Sequence, residues 1–158
     1  MATLIVYMTT HGCTEKATRM LMNSLNDDIN IVNLDGFPDP NLDLYERVVI
    51  GGSIHMGEIQ KGLKKYCERN LDALLTKKLG LFLCCMFDGE VAKKQFEEAY
   101  PLELRNHASA TGMFGGELTM DKMNALEKMI VKKVAGADHD ISKLNQLAIR
   151  EFAQKMAG

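Results

Sequence analysis

Three stretches constrain this chain more than any other feature: "TLIVYM" (3–8), "RVVIGG" (47–52) and "LGLFLCCMF" (79–87). A strand with one wet face alternates apolar and polar residues, whereas an unbroken apolar run is covered on both faces. Between these runs the spacing turns helical, first at Ala17, Met20, Leu21 and Leu25, then at Ile59, Leu63, Cys67, Leu71 and Leu74. "INIVNL" reads as a second strand closed by the loop "DGFPDP", and "ASATGMFGGEL" as a fifth, weakened by its glycines. "VAKKQFEEAY" reads as a helix stopped by Pro101, "MDKMNALEKMIVKKVAG" as another. "ISKLNQLAIREFAQKMAG" closes the chain as a last helix with Leu144, Ala148, Phe152 and Met156 on one side. Buried strands alternating with helices predict a doubly wound α/β fold. The expected sheet has five parallel strands in the order 2-1-3-4-5, with helices on both faces.

With 158 residues, 46% hydrophobic and 25% charged, the chain fits one globular domain spanning 1–158. A net charge of -2 and the lack of a Lys/Arg block argue against nucleic acid as a partner. "MATLIVYM" is short and without a basic leader, so it reads as a strand and not as an export signal. No run approaches the roughly 20 apolar residues that cross a bilayer. Cys13, Cys67, Cys84 and Cys85 show no C-x-x-C spacing, and reduced thiols in a cytoplasmic protein are expected.

Open parallel sheets bind ligands at the carboxyl ends of their strands. Three loops fall there: 9–14, 52–58 and 86–89. The first, "TTHGCT", precedes a helix whose N-terminal N–H groups and dipole suit a phosphate. Thr9, Thr10 and Thr14 offer hydroxyls, and Gly12 lets the backbone approach closely. Thr14 taken alone reads rather as an N-cap, and it is the three threonines around one glycine that point to a phosphate. Neither a P-loop nor a G-x-G-x-x-G fingerprint is present. The spacing from Cys13 to Arg19, "CTEKATR", also fits a C-x5-R phosphatase, although Glu15 would put a carboxylate in the anion cradle.

Taken together, the three loops resemble those of the flavodoxin-like family, with "TTHGCT" similar to its hydroxyl-rich FMN phosphate loop. His11 replaces the middle threonine found in many members. Within the family, "RVVIGGSIHMGEI" and "GGELTMDKMNALEKMIVKKVAG" are most similar to the menaquinone-dependent protoporphyrinogen oxidase branch. The resemblance implies an FMN-binding redox protein that holds its flavin non-covalently. Thr9, Thr10, His11 (through its N–H), Gly12, Cys13 and Thr14 would hold the phosphate. Ser53 and Ile54 would meet the ribityl chain and flavin edge, His55, Met56 and Gly57 the ring, and Phe87, Asp88 and Gly89 the pyrimidine end. The absence of tryptophan and the modest net charge of -2 depart from dedicated electron carriers. An electron carrier with a protein partner and an oxidase of protoporphyrinogen with a quinone acceptor both stay open.

His55 is the candidate proton donor or relay, since histidine titrates near neutrality; a plain loop histidine is the competing reading. The 121–135 helix carries Met120, Met123, Leu126, Met129, Ile130 and Val134 against Lys122, Lys128, Lys132 and Lys133. That pattern fits a core-facing helix with a solvated lysine face, and also peripheral contact with an anionic membrane.

Overall fold

The computed structural model describes residues 2–87, 89–118, 125–129, 141–142 and 144–158. Five parallel strands form the sheet: β1 (Ala2–Tyr7), β2 (Asp28–Asn33), β3 (Arg47–His55), β5 (Lys78–Cys84) and β6 (Ala110–Met113), in the order β2-β1-β3-β5-β6. This is the expected order; the extra index comes from β4 (Glu58–Ile59), a short strand folded back antiparallel on the end of β3. Residues β7 (Glu117–Leu118) and β8 (Ile141–Ser142) form a separate antiparallel ribbon.

The unbroken apolar runs feed two cores. Leu4, Val6, Val48, Ile50, Leu79, Leu81 and Leu83 face one side of the sheet. There they meet Leu63, Tyr66 and Cys67 of α2 (Lys61–Arg69), Leu74 of α3 (Leu71–Leu74), Phe96 of α4 (Gly89–Ala99) and Leu104 of α5 (Leu102–His107). Ile5, Val49, Phe82 and Cys84 face the other side, against Ala17 and Leu21 of α1 (Cys13–Ser24). Ile149, Phe152 and Met156 of α7 (Gln146–Ala157) complete that layer. Alternate residues of each strand thus enter opposite cores, as period-2 geometry requires. Gly51 makes the second core possible: a Cβ there would stand 1.9 Å from the Phe82 ring.

Several boundaries differ from the sequence expectation. Ile59 belongs to β4, paired with Ile54, and is not the start of a helix. The helix expected through Leu74 breaks at Asn70 into α2 and α3. Residues 102–107 form α5, a helix the sequence reading left out, entered through Pro101 at its N-cap. Glu117 and Leu118 leave the fifth strand for the β7–β8 ribbon, and Leu144 precedes α7. Of the 121–135 helix, the described residues are 125–129, helical and called α6 below; Met120, Met123, Ile130, Val134, Lys122, Lys132 and Lys133 lie outside them. Leu126 and Met129 are both more than half exposed, so these two do not face the core. No helix among the described residues is long and apolar enough to cross a membrane.

Candidate functional site

Strands β1, β3 and β5 lie side by side, and the loops that follow their carboxyl ends form one rim. Ser53 stands level with Cys84 in the register, so the second and third loops leave the sheet together.

The first loop turns at Gly12, whose φ of 92° lies in the left-handed region that a side chain resists. Thr9 Oγ1 accepts a hydrogen bond from the Gly12 N–H at 2.9 Å and so fixes the turn. Gly12 is the N-cap of α1 and carries no side-chain cap, leaving the first turn to present N–H groups that a helix cannot satisfy internally. Thr14 is therefore not an N-cap. It sits inside the first turn, fully buried, and its Oγ1 has no hydrogen-bond partner. Thr18, one turn further along α1, repeats the pattern. Cys13 turns its side chain into the core beside Phe82 and Cys84, so it can serve a ligand at the loop only through its backbone.

That placement removes the phosphatase reading. The Cys13 thiol is hydrogen-bonded to the Cys84 thiol, which with burial pushes Cys84 well above the ordinary thiol range. Thr14 would donate to a Cys84 thiolate, but the raised thiol keeps its proton and offers the hydroxyl only a weak acceptor. Arg19 reaches out to Glu15 at 3.1 Å on an exposed face of α1, away from any cradle.

The second loop is tighter than expected. Residues 52–55 continue β3, and Met56-Gly57 alone make the turn into β4. Both have positive φ, 52° and 83°, as a two-residue type I′ hairpin requires. Methionine is strained there, and its side chain points into solvent, 58% exposed. Ile54 packs against the first core. In the third loop Phe87 is partly exposed, its carbonyl accepting from Cys85 Sγ at 3.4 Å, and Gly89 opens α4 with φ 60°. Asp88 lies outside the described residues.

Two residues without a sequence signal tie the rim together. Gln60 donates from Nε2 to Thr10 Oγ1 at 3.0 Å and to Ser53 Oγ at 2.7 Å, and its Oε1 accepts the Ser53 N–H at 3.1 Å. It thus bridges the first two loops. Glu127, on α6, places Oε2 2.6 Å from His11 Nε2 and 3.6 Å from His55 Nε2. The two imidazoles meet edge to face, centroids 5.5 Å apart. A separate cleft of about 410 Å³ between α2, α4 and α5, lined by Lys64, Glu68, Tyr100 and Leu102 among others, contains none of the rim residues.

The residues present suit a phosphate at the first loop. It offers a buried hydroxyl with no partner better than the weakly accepting Cys84 sulfur, a glycine turn and a helix N-terminus, while in the other two loops a Cβ at Gly57 or Gly89 would meet only open space.

Comparison with known proteins agrees in fold. The model of the Flavodoxin domain matches residues 4–143. Among solved structures, oxidised flavodoxin 1 of Bacillus cereus superposes with a TM-score of 0.59 at 13% identity, covering 99% of this chain and 97% of that one. The two-electron reduced flavodoxin of Megasphaera elsdenii gives 0.59 at 18% identity, covering 98% of each chain. A WrbA-like flavodoxin of Agrobacterium tumefaciens gives 0.59 at 12% identity, covering 99% and 97%. No curated protein matches the chain.

Proposed function

The chain belongs to the Flavodoxin domain family, and from that premise we propose that it binds FMN at the β1, β3 and β5 rim and transfers electrons through it. The observation that carries the reading is the Thr14 hydroxyl, buried without a partner in the first turn of α1 directly after a threonine- and glycine-built turn. A phosphate would supply the acceptor this hydroxyl lacks. When bound, the isoalloxazine supplies the redox chemistry, and the protein supplies position, exclusion of water and tuning of potential.

In this reading Thr9, Thr10, Gly12 and Thr14, with the backbone N–H groups of His11 and Cys13, hold the phosphate. Ser53 and Ile54 meet the ribityl chain, and His55, Met56 and Gly57 line the ring. Phe87 and Gly89 close the pyrimidine end. Gln60 keeps Thr10 and Ser53 in register across the two loops. His55 holds or releases a proton at Nε2, with the Glu127 carboxylate 3.6 Å away to balance its charge. The exposed side chains of Met56, Leu126 and Met129 adjoin these residues in the chain and form the contact surface for a redox partner.

Oxidation of protoporphyrinogen with a quinone acceptor is the narrower form of the same reading. It rests on the sequence segments "RVVIGGSIHMGEI" and "GGELTMDKMNALEKMIVKKVAG", and turnover of that substrate pair is its test.

The binding experiment is a titration of FMN and of riboflavin, followed by quenching of flavin fluorescence. FMN is expected to bind at least about tenfold more tightly, since a charge-assisted hydrogen bond contributes about 1.5–3 kcal/mol. Equal affinities would remove the phosphate from the first loop, and no quenching by either would sink the flavin reading.

A further inference from the structure

His11, His55 and Glu127 come from three different segments: the β1–α1 loop, the end of β3 and α6. Their ligand-capable atoms all lie within 4.8 Å of one another. Both Nε2 atoms approach the same carboxylate oxygen, Oε2, at 2.6 and 3.6 Å. One hydrogen bond between His11 and Glu127 would account for the shorter contact alone. It gives no reason for a second imidazole to turn its Nε2 toward that oxygen while standing edge-on to the first ring.

We propose that His11, His55 and Glu127 form a binding site for a divalent transition-metal ion of the zinc class. Two imidazoles and one carboxylate are a donor set that zinc accepts, and three protein ligands leave one tetrahedral position for water or an exogenous ligand. With metal–ligand bonds near 2.1 Å, the donor atoms of a tetrahedral site stand about 3.4 Å apart. The observed spread therefore requires the His11–Glu127 contact to open by roughly 0.8 Å from 2.6 Å, and the widest pair to close by at most about 1.4 Å from 4.8 Å. Side-chain rotation supplies movements of that size. The side chains are 20%, 35% and 15% exposed, so the site is partly dehydrated yet open to an entering ion.

The backbone around the histidines supports a held geometry. His11 precedes Gly12 at φ 92°, and His55 precedes Met56 at φ 52°, the one positive-φ residue other than glycine among the described residues. Strain at a non-glycine position marks a place where the surrounding structure dictates the conformation. The ion would join α6 to both rim loops and offset the Glu127 charge; it would also occupy His55 Nε2, so the proton role of that atom belongs to the metal-free protein. The assignment does not need flavin to bind.

The test is a titration of the full chain, free of flavin, with Zn²⁺ against a chromophoric chelator, and with Co²⁺ followed by its visible d–d absorption. Wild-type protein is expected to take up one equivalent and show the intense bands of a four-coordinate site. His11→Ala, His55→Ala and Glu127→Gln should each weaken binding at least tenfold, while His107→Ala leaves it unchanged. Nitrogen-15 spectra of the wild-type histidines provide a readout independent of variant folding: Zn²⁺ should shift the Nε2 signals of His11 and His55 and spare His107. Retention of full affinity in any of the three ligand variants, loss in His107→Ala, or histidine signals that do not move would overturn the site. Flavin titrations repeated in excess chelator separate the two readings, because failure of one then leaves the other measurable.

Discussion

Replacing Thr14 by valine should move stability and flavin affinity in opposite directions. Valine has the shape of threonine and nearly its helix propensity, so the substitution removes a hydroxyl and little else. The hydroxyl is fully buried and unpartnered in the first turn of α1. An unsatisfied buried polar group costs about 1–3 kcal/mol, and the nearby Cys84 sulfur, a weak partner, argues for the lower end. The flavin-free variant should therefore gain about 1 kcal/mol. With an m-value of about 1–3 kcal/mol/M, its urea midpoint rises by roughly 0.3–1 M. If the same hydroxyl donates to a phosphate, the variant loses a hydrogen bond to a charged group, about 1.5–3 kcal/mol. FMN affinity then falls about 10- to 150-fold, while riboflavin affinity is unmoved. Paired urea melts and flavin titrations read both quantities on one preparation. A lowered midpoint would show that the hydroxyl already has a partner. An unchanged FMN affinity would place the phosphate elsewhere, and either result refutes the reasoning.

Other consequences follow from the packing and the buried ionisable groups. Gly51→Ala puts a Cβ 1.9 Å from a Phe82 ring that is stacked on Phe114 at 4.6 Å and cannot withdraw, so a loss of about 2–3 kcal/mol or more is expected in a urea melt. Gly62→Ala is the contrast: its Cβ meets only the flexible end of Met8 at 2.8 Å inside α2, and helix propensity favours alanine, so its midpoint should stay level or rise. Met56→Asn relieves a left-handed methionine in the β3–β4 turn and should raise the melting temperature, by up to about 1 kcal/mol of stability, if the hairpin is formed. Burial pushes the Cys67 thiol from 9.0 up to about 12, so its contribution is complete below about pH 9 and is lost as pH climbs toward 12. Stability should fall over that window by up to about 1.4 kcal/mol per pH unit for each such group, and urea midpoints that stay flat between pH 8 and 11 would contradict the buried assignment.

The readable parts of this chain were those governed by burial. "TLIVYM", "RVVIGG" and "LGLFLCCMF" announced strands covered on both faces because each inward and outward position meets a helix layer, and the two cores bear this out. The rim was readable for a topological reason: loops after adjacent parallel strands must converge, and Ser53 beside Cys84 shows that they do. Boundaries failed where local spacing imitated another structure. Ile59 and Leu63 are four apart, as on a helix, yet Ile59 is the partner of Ile54 in β4. The turn before it was hidden because its first left-handed position holds methionine and not the asparagine that usually betrays such a hairpin.

What the sequence withheld was chemistry that depends on one side chain crossing a gap. Gln60 looks like an ordinary polar residue ahead of a helix, and nothing in its neighbours says that it bridges Thr10 and Ser53. Glu127 stands 116 residues from His11, on a helix whose methionines and lysines dominate any reading of its pattern. Its importance comes from topology: α6 is brought over the rim, where a carboxylate finds two imidazoles already presented by a glycine turn and a strained hairpin. A carboxylate placed beside the proposed phosphate loop would oppose an anionic ligand unless its charge is taken up. The two histidines do this in part as hydrogen-bond and ion-pair partners, and a metal ion at the same three residues would do so fully. With both proposed ligands bound, an anion at the helix N-terminus and a cation at the rim's edge, filling one site should strengthen the other by reciprocal linkage.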